Sequence, residues 1–149
     1  MVKIKSQLPK DIPREEICCF TGHRAIRLQD KPYIGDVLEH HIIRLIEQGV
    51  RVFLAGGALG FDTLAAQMVL KLKPRYPHIE LRLILPCRDQ TRGWSVIQKN
   101  NYRHILGQAD QVMYLSERYY PGCMQMRNRY LVDHSAYCIC YCVRSRGGT

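Results

Sequence analysis

The sequence predicts a doubly wound α/β domain, with a mainly parallel sheet of about five strands and helices on both faces. Three observations carry this. Short apolar runs suited to buried strands alternate, along the whole chain, with stretches of helical apolar spacing. Turns rich in glycine and proline separate the two kinds of segment. Chemically capable residues gather just past the strand ends, at 21–24, 56–63, 86–88 and 147–149. In a parallel sheet those positions share the carboxyl edge, where ligands bind at the point of strand-order reversal.

Each element has its own warrant. Residues 1–16 hold two prolines and little apolar pattern, and are expected to form a mobile arm ahead of one domain, 17–149. Residues 17–20 (ICCF) read as a buried strand. Ile34, Val37, Leu38, Ile42, Leu45 and Ile46 follow at helical spacing, with Gly49 at the C-terminal cap position. Val52, Phe53 and Leu54 form the second strand. Phe61, Leu64, Ala65, Met68, Val69 and Leu72 form the helix after it, closed by Pro74 and Pro77. Strands are expected at 81–85, 112–115 and 137–143, and helices at 94–106 and 125–134. A doubly wound domain normally follows its fifth strand with a covering helix. The sequence stops at Arg146-Gly147-Gly148-Thr149, where that helix should begin, so the expectation is a domain truncated at its C-terminal end.

Composition narrows the functional class. A chain of 149 residues with 46% hydrophobic and 23% charged residues is an ordinary globule of one domain. No apolar run approaches the roughly 20 residues of a membrane span, and the first residues are too polar for a secretory signal. Seven cysteines, an odd number with no signal peptide, point to a reducing compartment, so a cytoplasmic location and no membrane partner are expected. The formal charge of +9 favours anionic partners. A nucleotide-like small molecule is the first expectation. Single-stranded nucleic acid and a homo-oligomer stay open, and no cofactor or metal is called for.

The segment VRVFLAGGALGFDTLAAQMVLKL is the most informative in the chain. A strand, the turn of Gly56, Gly57 and Gly60, and a helix beginning with Asp62 and Thr63 in its first turn place bare backbone N–H groups at a helix N-terminus. Those amides and the helix dipole favour a phosphate or carboxylate. The turn fails as a dinucleotide fingerprint, because Ala55 occupies the first glycine position and no acid ends the next strand. It also lacks the lysine of a P-loop. Asp62 suits two roles equally, contacting a ribose hydroxyl or capping its own helix.

Thr21-Gly22-His23-Arg24 puts a hydroxyl, a glycine and two basic groups past the first strand. Arg24 suits a bidentate phosphate contact, while a loop histidine such as His23 is more often structural than a base. Met124, Arg127 and Leu131 share the helix face that should meet the sheet. From spacing alone Arg127 is expected to snorkel to the surface, the alternative being a head group in the cleft. Cys138, Cys140 and Cys142 alternate along a strand about 6.6 Å apart, too far for one metal ion, and read as small buried hydrophobes. Cys87 reads as a packing residue. Trp94, Tyr119 and Tyr120 offer stacking surfaces for bases.

Five motifs taken together carry a resemblance that covers residues 18–149. T-G-H-R (21–24), G-G-A-L-G-F-D (56–62), L-P-C-R-D (85–89), P-G-C-M-Q-M-R-N-R (121–129) and the final G-G-T resemble the YpsA-like family of the SLOG superfamily of Rossmann-like proteins. The resemblance implies a Rossmann-like fold that binds a nucleotide or nucleotide derivative, and a regulatory or signalling role through that binding is the first expectation. Its phosphate would be held by Thr21, Gly22, Arg24, the Gly56–Gly57–Gly60 turn, Thr63 and a second turn, Gly147, Gly148 and Thr149, with Asp62 on the sugar. Two relatives within the superfamily imply alternatives. The LOG enzymes hydrolyse nucleoside 5′-monophosphates, and Met124 with Arg127 matches part of their pattern. Arg127 would then be catalytic, but the acidic partner expected past the glycine–threonine turn is lacking. DprA binds single-stranded DNA on a similar fold.

Overall fold

The structure, a computed structural model, describes residues 12–143. Its five strands are β1 (Ile17–Gly22), β2 (Val52–Ala55), β3 (Glu80–Leu85), β4 (Gln111–Tyr114) and β5 (Tyr137–Tyr141). The α-helices are α1 (Lys31–Glu47), α2 (Phe61–Leu72), α3 (Val96–Gln108) and α4 (Cys123–Asp133). Every strand pairing is parallel and the strand order is β4-β3-β2-β1-β5, so the expected Rossmann-like architecture is present. The order reverses between β1 and β5, with Cys19 opposite Cys138.

Right-handed crossovers distribute the helices unequally. The steps from β1 to β4 all move the same way across the sheet, which puts α1, α2 and α3 on one face. The return from β4 to β5 puts α4 on the other. The packing agrees. Ile34, Leu38 and Ile42 of α1, Phe61, Ala65 and Val69 of α2, and Ile105 of α3 share one core with Phe20, Phe53 and Leu83. Leu131 of α4 packs with Ile17, Cys19, Val52, Leu54, Ile84 and Met113 in a smaller one. Each buried Leu, Ile or Phe is worth about 1.5–3 kcal/mol relative to exposure, so the three-helix face carries most of the hydrophobic stabilisation.

Where element boundaries differ from expectation, local chemistry decides. The third helix starts at Val96 rather than Trp94, because Ser95 and Gln98 form a capping box: the Ser95 hydroxyl accepts from the Gln98 N–H, and the Gln98 side chain accepts from the Ser95 N–H. The fifth strand ends at Tyr141, where β1 also ends at Gly22. Of the expected N-terminal arm, Arg14–Glu16 forms a 3₁₀ turn. Its Arg14 guanidinium donates to the Ser135 carbonyl (2.8 Å), and Glu16 receives Arg51. Among the described residues, no helix is long and apolar enough to cross a membrane.

The cysteines in and just after β5 correct one expectation. Cys138, Cys140 and Cys142 are exposed, not buried. They follow an edge strand on the side away from α1, and α4 packs instead against β1 and β3. Among the described residues, no group of three acidic, cysteine or histidine side chains could hold a metal ion.

Candidate functional site

The strand–turn–helix segment builds its turn almost entirely from its own polar groups. Asp62 accepts a hydrogen bond from the Ala58 N–H (3.2 Å), and the Thr63 hydroxyl donates to the Ala58 carbonyl (2.9 Å). The first two polar residues of α2 therefore hold both backbone polar groups of one loop residue, Ala58. Phe61 donates its N–H to the His23 carbonyl (3.0 Å), tying the turn to the segment past β1. Its ring wedges between the ends of β1 and β5, stacked on Tyr141 (centroids 5.8 Å apart) and edge-on to Phe20.

Four glycines of the motif region are required by this packing. Gly57 has φ +74°, and a Cβ there would overlap the Leu85 side chain. Gly60 has φ +80°, and a Cβ there would collide with the Arg24 carbonyl. A Cβ on Gly56 would run into the Arg127 guanidinium, and one on Gly22 would lie 2.6 Å from the Phe61 ring. The turn leaves several donors free: the N–H groups of Gly57, Leu59, Gly60, Asp62 and Thr63 find no acceptor among the described residues.

Arg127 does not snorkel. It is only 5% exposed, and its head runs under the glycine turn. Nη1 donates to the Gly56 carbonyl and lies 4.0 Å from Asp62 Oδ2, while Nε donates to Asn128 (2.7 Å). The reason is geometric. Gly56 has no side chain, so the guanidinium can reach the turn's backbone and a buried counter-ion together. Burial pushes the Asp62 carboxyl above the usual carboxylate range, and Arg127, the Ala58 N–H and Arg24 hold it down in part. Burial lowers the Arg127 guanidinium, and Asp62 opposes that.

His23 has a structural task. Its Nε2 accepts the Val143 N–H (2.9 Å), and its ring meets Tyr141 edge-on, fastening the segment after β1 to the end of β5. Burial raises the Cys87 thiol to about 12, in keeping with packing. Gly147, Gly148 and Thr149 lie outside the described residues.

The open space lies beside the turn. A cleft of about 490 Å³, within the usual range for small-molecule sites, runs between the segment after β1, α2 and α3. Arg24, Gly60 and Thr63 are among the residues that line it. Its further lining includes Lys31, Gln67, Gln98 and Asn101, with Ile26, Leu59 and Leu64 as apolar wall. Arg27 also reaches it but is held by Asp30 (2.8 Å). The Arg24 and Lys31 side chains make no hydrogen bond or salt bridge among the described residues, and no carboxylate lines the cleft. The cleft therefore favours an anion.

Two expectations about place need adjusting. The cleft opens on the α2–α3 side of β1, away from the β1–β5 reversal. Trp94, Tyr119 and Tyr120 do not line it; Trp94 packs edge-on against Tyr102. Gln67, Gln98 and Asn101 went unnoticed in the sequence. Their signal was available: Thr63 and Gln67 are one turn apart on α2, and Gln98 and Asn101 are neighbours on one face of α3.

A model of the YspA SLOG family matches residues 18–147. A UPF0398 protein of Halalkalibacterium halodurans is 41% identical over 129 residues, covering 80% of this chain and 68% of that protein. The SPbeta prophage-derived protein YoqJ of Bacillus subtilis is 34% identical over 109 residues, covering 65% and 64%. The UPF0398 protein YpsA of the same species is 27% identical over 129 residues, covering 80% and 72%.

Proposed function

The chain belongs to the YspA SLOG family, and on that premise we propose that it binds a nucleotide or nucleotide-derived phosphate ligand at the carboxyl edge of the sheet, in a regulatory or signalling role. One observation carries this reading: two unpartnered cations, Arg24 and Lys31, line a carboxylate-free cleft at the start of α2. The free amides of Asp62 and Thr63 and the dipole of α2 add to the attraction. Asp62 itself supports the turn, since its carboxylate already holds the Ala58 N–H and faces Arg127. The test is thermal unfolding in the presence of nucleoside mono-, di- and triphosphates and cyclic nucleotides. A ligand held by the native state at 100 times its Kd stabilises by about 2.7 kcal/mol. No shift with any of them, at millimolar concentration, would end this reading.

A second reading has its own observation. A further groove, lined by Lys71, His104 and Gln108, shares Gln67 with the cleft, so open space flanks that residue on both sides along α2 and α3. An extended anion such as single-stranded nucleic acid would lie along that space. Oligonucleotide affinity that falls steeply with salt would favour this reading, and a flat response would remove it. N-glycosidic hydrolysis is weaker support for Arg127, whose head is engaged by Gly56, Asn128 and Asp62 rather than turned into the cleft.

A further inference from the structure

Resting on the phosphate-ligand reading, we propose that the α2–α3 end of the cleft is a nucleobase subsite, with Gln67 and Asn101 as its specificity-determining residues. The cleft is chemically divided along its length. Its cations, Arg24 and Lys31, come from the segment after β1 and the start of α1, and Thr63 sits beside them at the first turn of α2. One helical turn further along α2, about 5.4 Å, stands Gln67. Gln98 and Asn101, three apart on α3, line the same end. Positive charge thus sits at one end, and uncharged groups carrying both donors and acceptors at the other.

The amides are open for use. Gln67 and Asn101 are exposed and hydrogen-bond to no described residue. Gln98 gives its Oε1 to the Ser95 N–H, which fixes the side chain and leaves its NH₂ group as a donor. A carboxamide offers a coplanar donor and acceptor, the pattern that matches a nucleobase edge in a bidentate pair. The same cleft has an aliphatic wall, from Ile26, Leu59 and Leu64. A flat ring with apolar faces and a polar rim fits such a slot. A bare sugar, polar around its whole periphery, would leave the aliphatic wall uncompensated. A phosphate on the cations, one sugar across the turn of α2 and a base among the amides is the arrangement of a nucleoside monophosphate.

Titration calorimetry separates this proposal from the reading it rests on. The probes are inorganic phosphate, ribose 5-phosphate, AMP, GMP, CMP and UMP. The proteins are the unmodified chain, Arg24→Ala, and the double variant Gln67→Ala/Asn101→Ala, whose sites are exposed and leave the core untouched. At least one nucleotide should bind the unmodified chain tenfold or more tighter than ribose 5-phosphate. The double variant should lose that preference, about a tenfold effect for two amide contacts, while keeping its affinity for ribose 5-phosphate. Arg24→Ala should weaken every phosphate-bearing probe in parallel. Equal binding of ribose 5-phosphate and all four nucleotides overturns the subsite while leaving phosphate binding standing. A nucleotide preference that survives the double variant also overturns it. No binding of any probe removes both readings.

Discussion

The inside of the glycine turn and the cleft just outside it lie within a few residues of each other, yet they are built on opposite terms. Inside, Asp62, Arg127, Gly56 and Ala58 satisfy one another and are nearly closed to solvent. Outside, Arg24, Lys31, Gln67 and Asn101 are exposed and unpaired among the described residues. The residues that catch the eye in the sequence mostly make the turn. The residues ready for a ligand mostly flank it. A glycine-rich motif at a helix start is therefore a statement about architecture first, and about binding only through what that architecture leaves open.

If that division is real, damage inside should appear as lost stability. The largest effect is expected from Arg127→Ala. Removing the guanidinium strands Asp62 in a buried site with one hydrogen bond, and breaking a buried pair this way costs about 3–5 kcal/mol. Urea unfolding measures it. The double variant Arg127→Ala/Asp62→Asn should recover part of the loss, because the stranded charge is gone. A single variant within 1 kcal/mol of the parent would show that the pair is not a structural unit. Gly60→Ala should come next, at about 2–4 kcal/mol, from a strained positive φ together with a collision against the Arg24 carbonyl. Unchanged stability there would mean the turn can move away from the segment after β1.

The same contrast extends to the thiols. Cys18 is enclosed within the sheet, and burial raises its thiol from 9.0 to about 12. Between those values the unfolded chain releases this proton and the folded chain keeps it. The unfolded state then binds fewer protons, so stability falls as pH rises from about 9 toward 12, by up to about 1.4 kcal/mol per pH unit. Cys18→Ala should flatten that slope, read by urea unfolding across the alkaline range. Alkylation at neutral pH sharpens the point. Mass spectrometry should find label on Cys138, Cys140 and Cys142, while Cys18, Cys19, Cys87 and Cys123 stay protected until unfolding.

The fold was legible because its signals are local and repeated. Apolar runs at Ile17, Val52 and Leu81 and helical spacing from Ile34 and from Phe61 placed strands and helices within a few residues of where they lie. The candidate cleft was legible in part. Arg24, Gly60 and Thr63 do line the cleft. What sequence could not convey is how an element's partners change its meaning. Arg127 reads as a snorkelling arginine until β2 is known to be followed by a glycine, Gly56, that lets it in. Cys138 and Cys140 read as buried until β5 is known to be an edge strand. Gln67 and Asn101 belong to different helices, and only the packing of α2 beside α3 makes them neighbours.

The smallest expected change in stability is the most instructive. Arg24 extends from a backbone held by the turn, since the neighbouring His23 carbonyl receives Phe61 and the Arg24 carbonyl abuts Gly60, but its own side chain is exposed and unpaired. Arg24→Ala should therefore shift unfolding by no more than about 0.5 kcal/mol, the usual range for a surface position. Its effect belongs to binding: a charge-assisted contact to phosphate is worth about 1.5–3 kcal/mol, roughly 10- to 100-fold in affinity. Arg24→Lys should restore less than the full amount if the guanidinium grips two oxygens at once, because an ammonium cannot. A variant that folds as well as the parent and yet binds phosphate-bearing probes poorly would place the ligand outside the turn. Equal binding by Arg24→Ala and the parent would move the ligand to the far side of β1, toward β5, and reverse the roles assigned to the two regions.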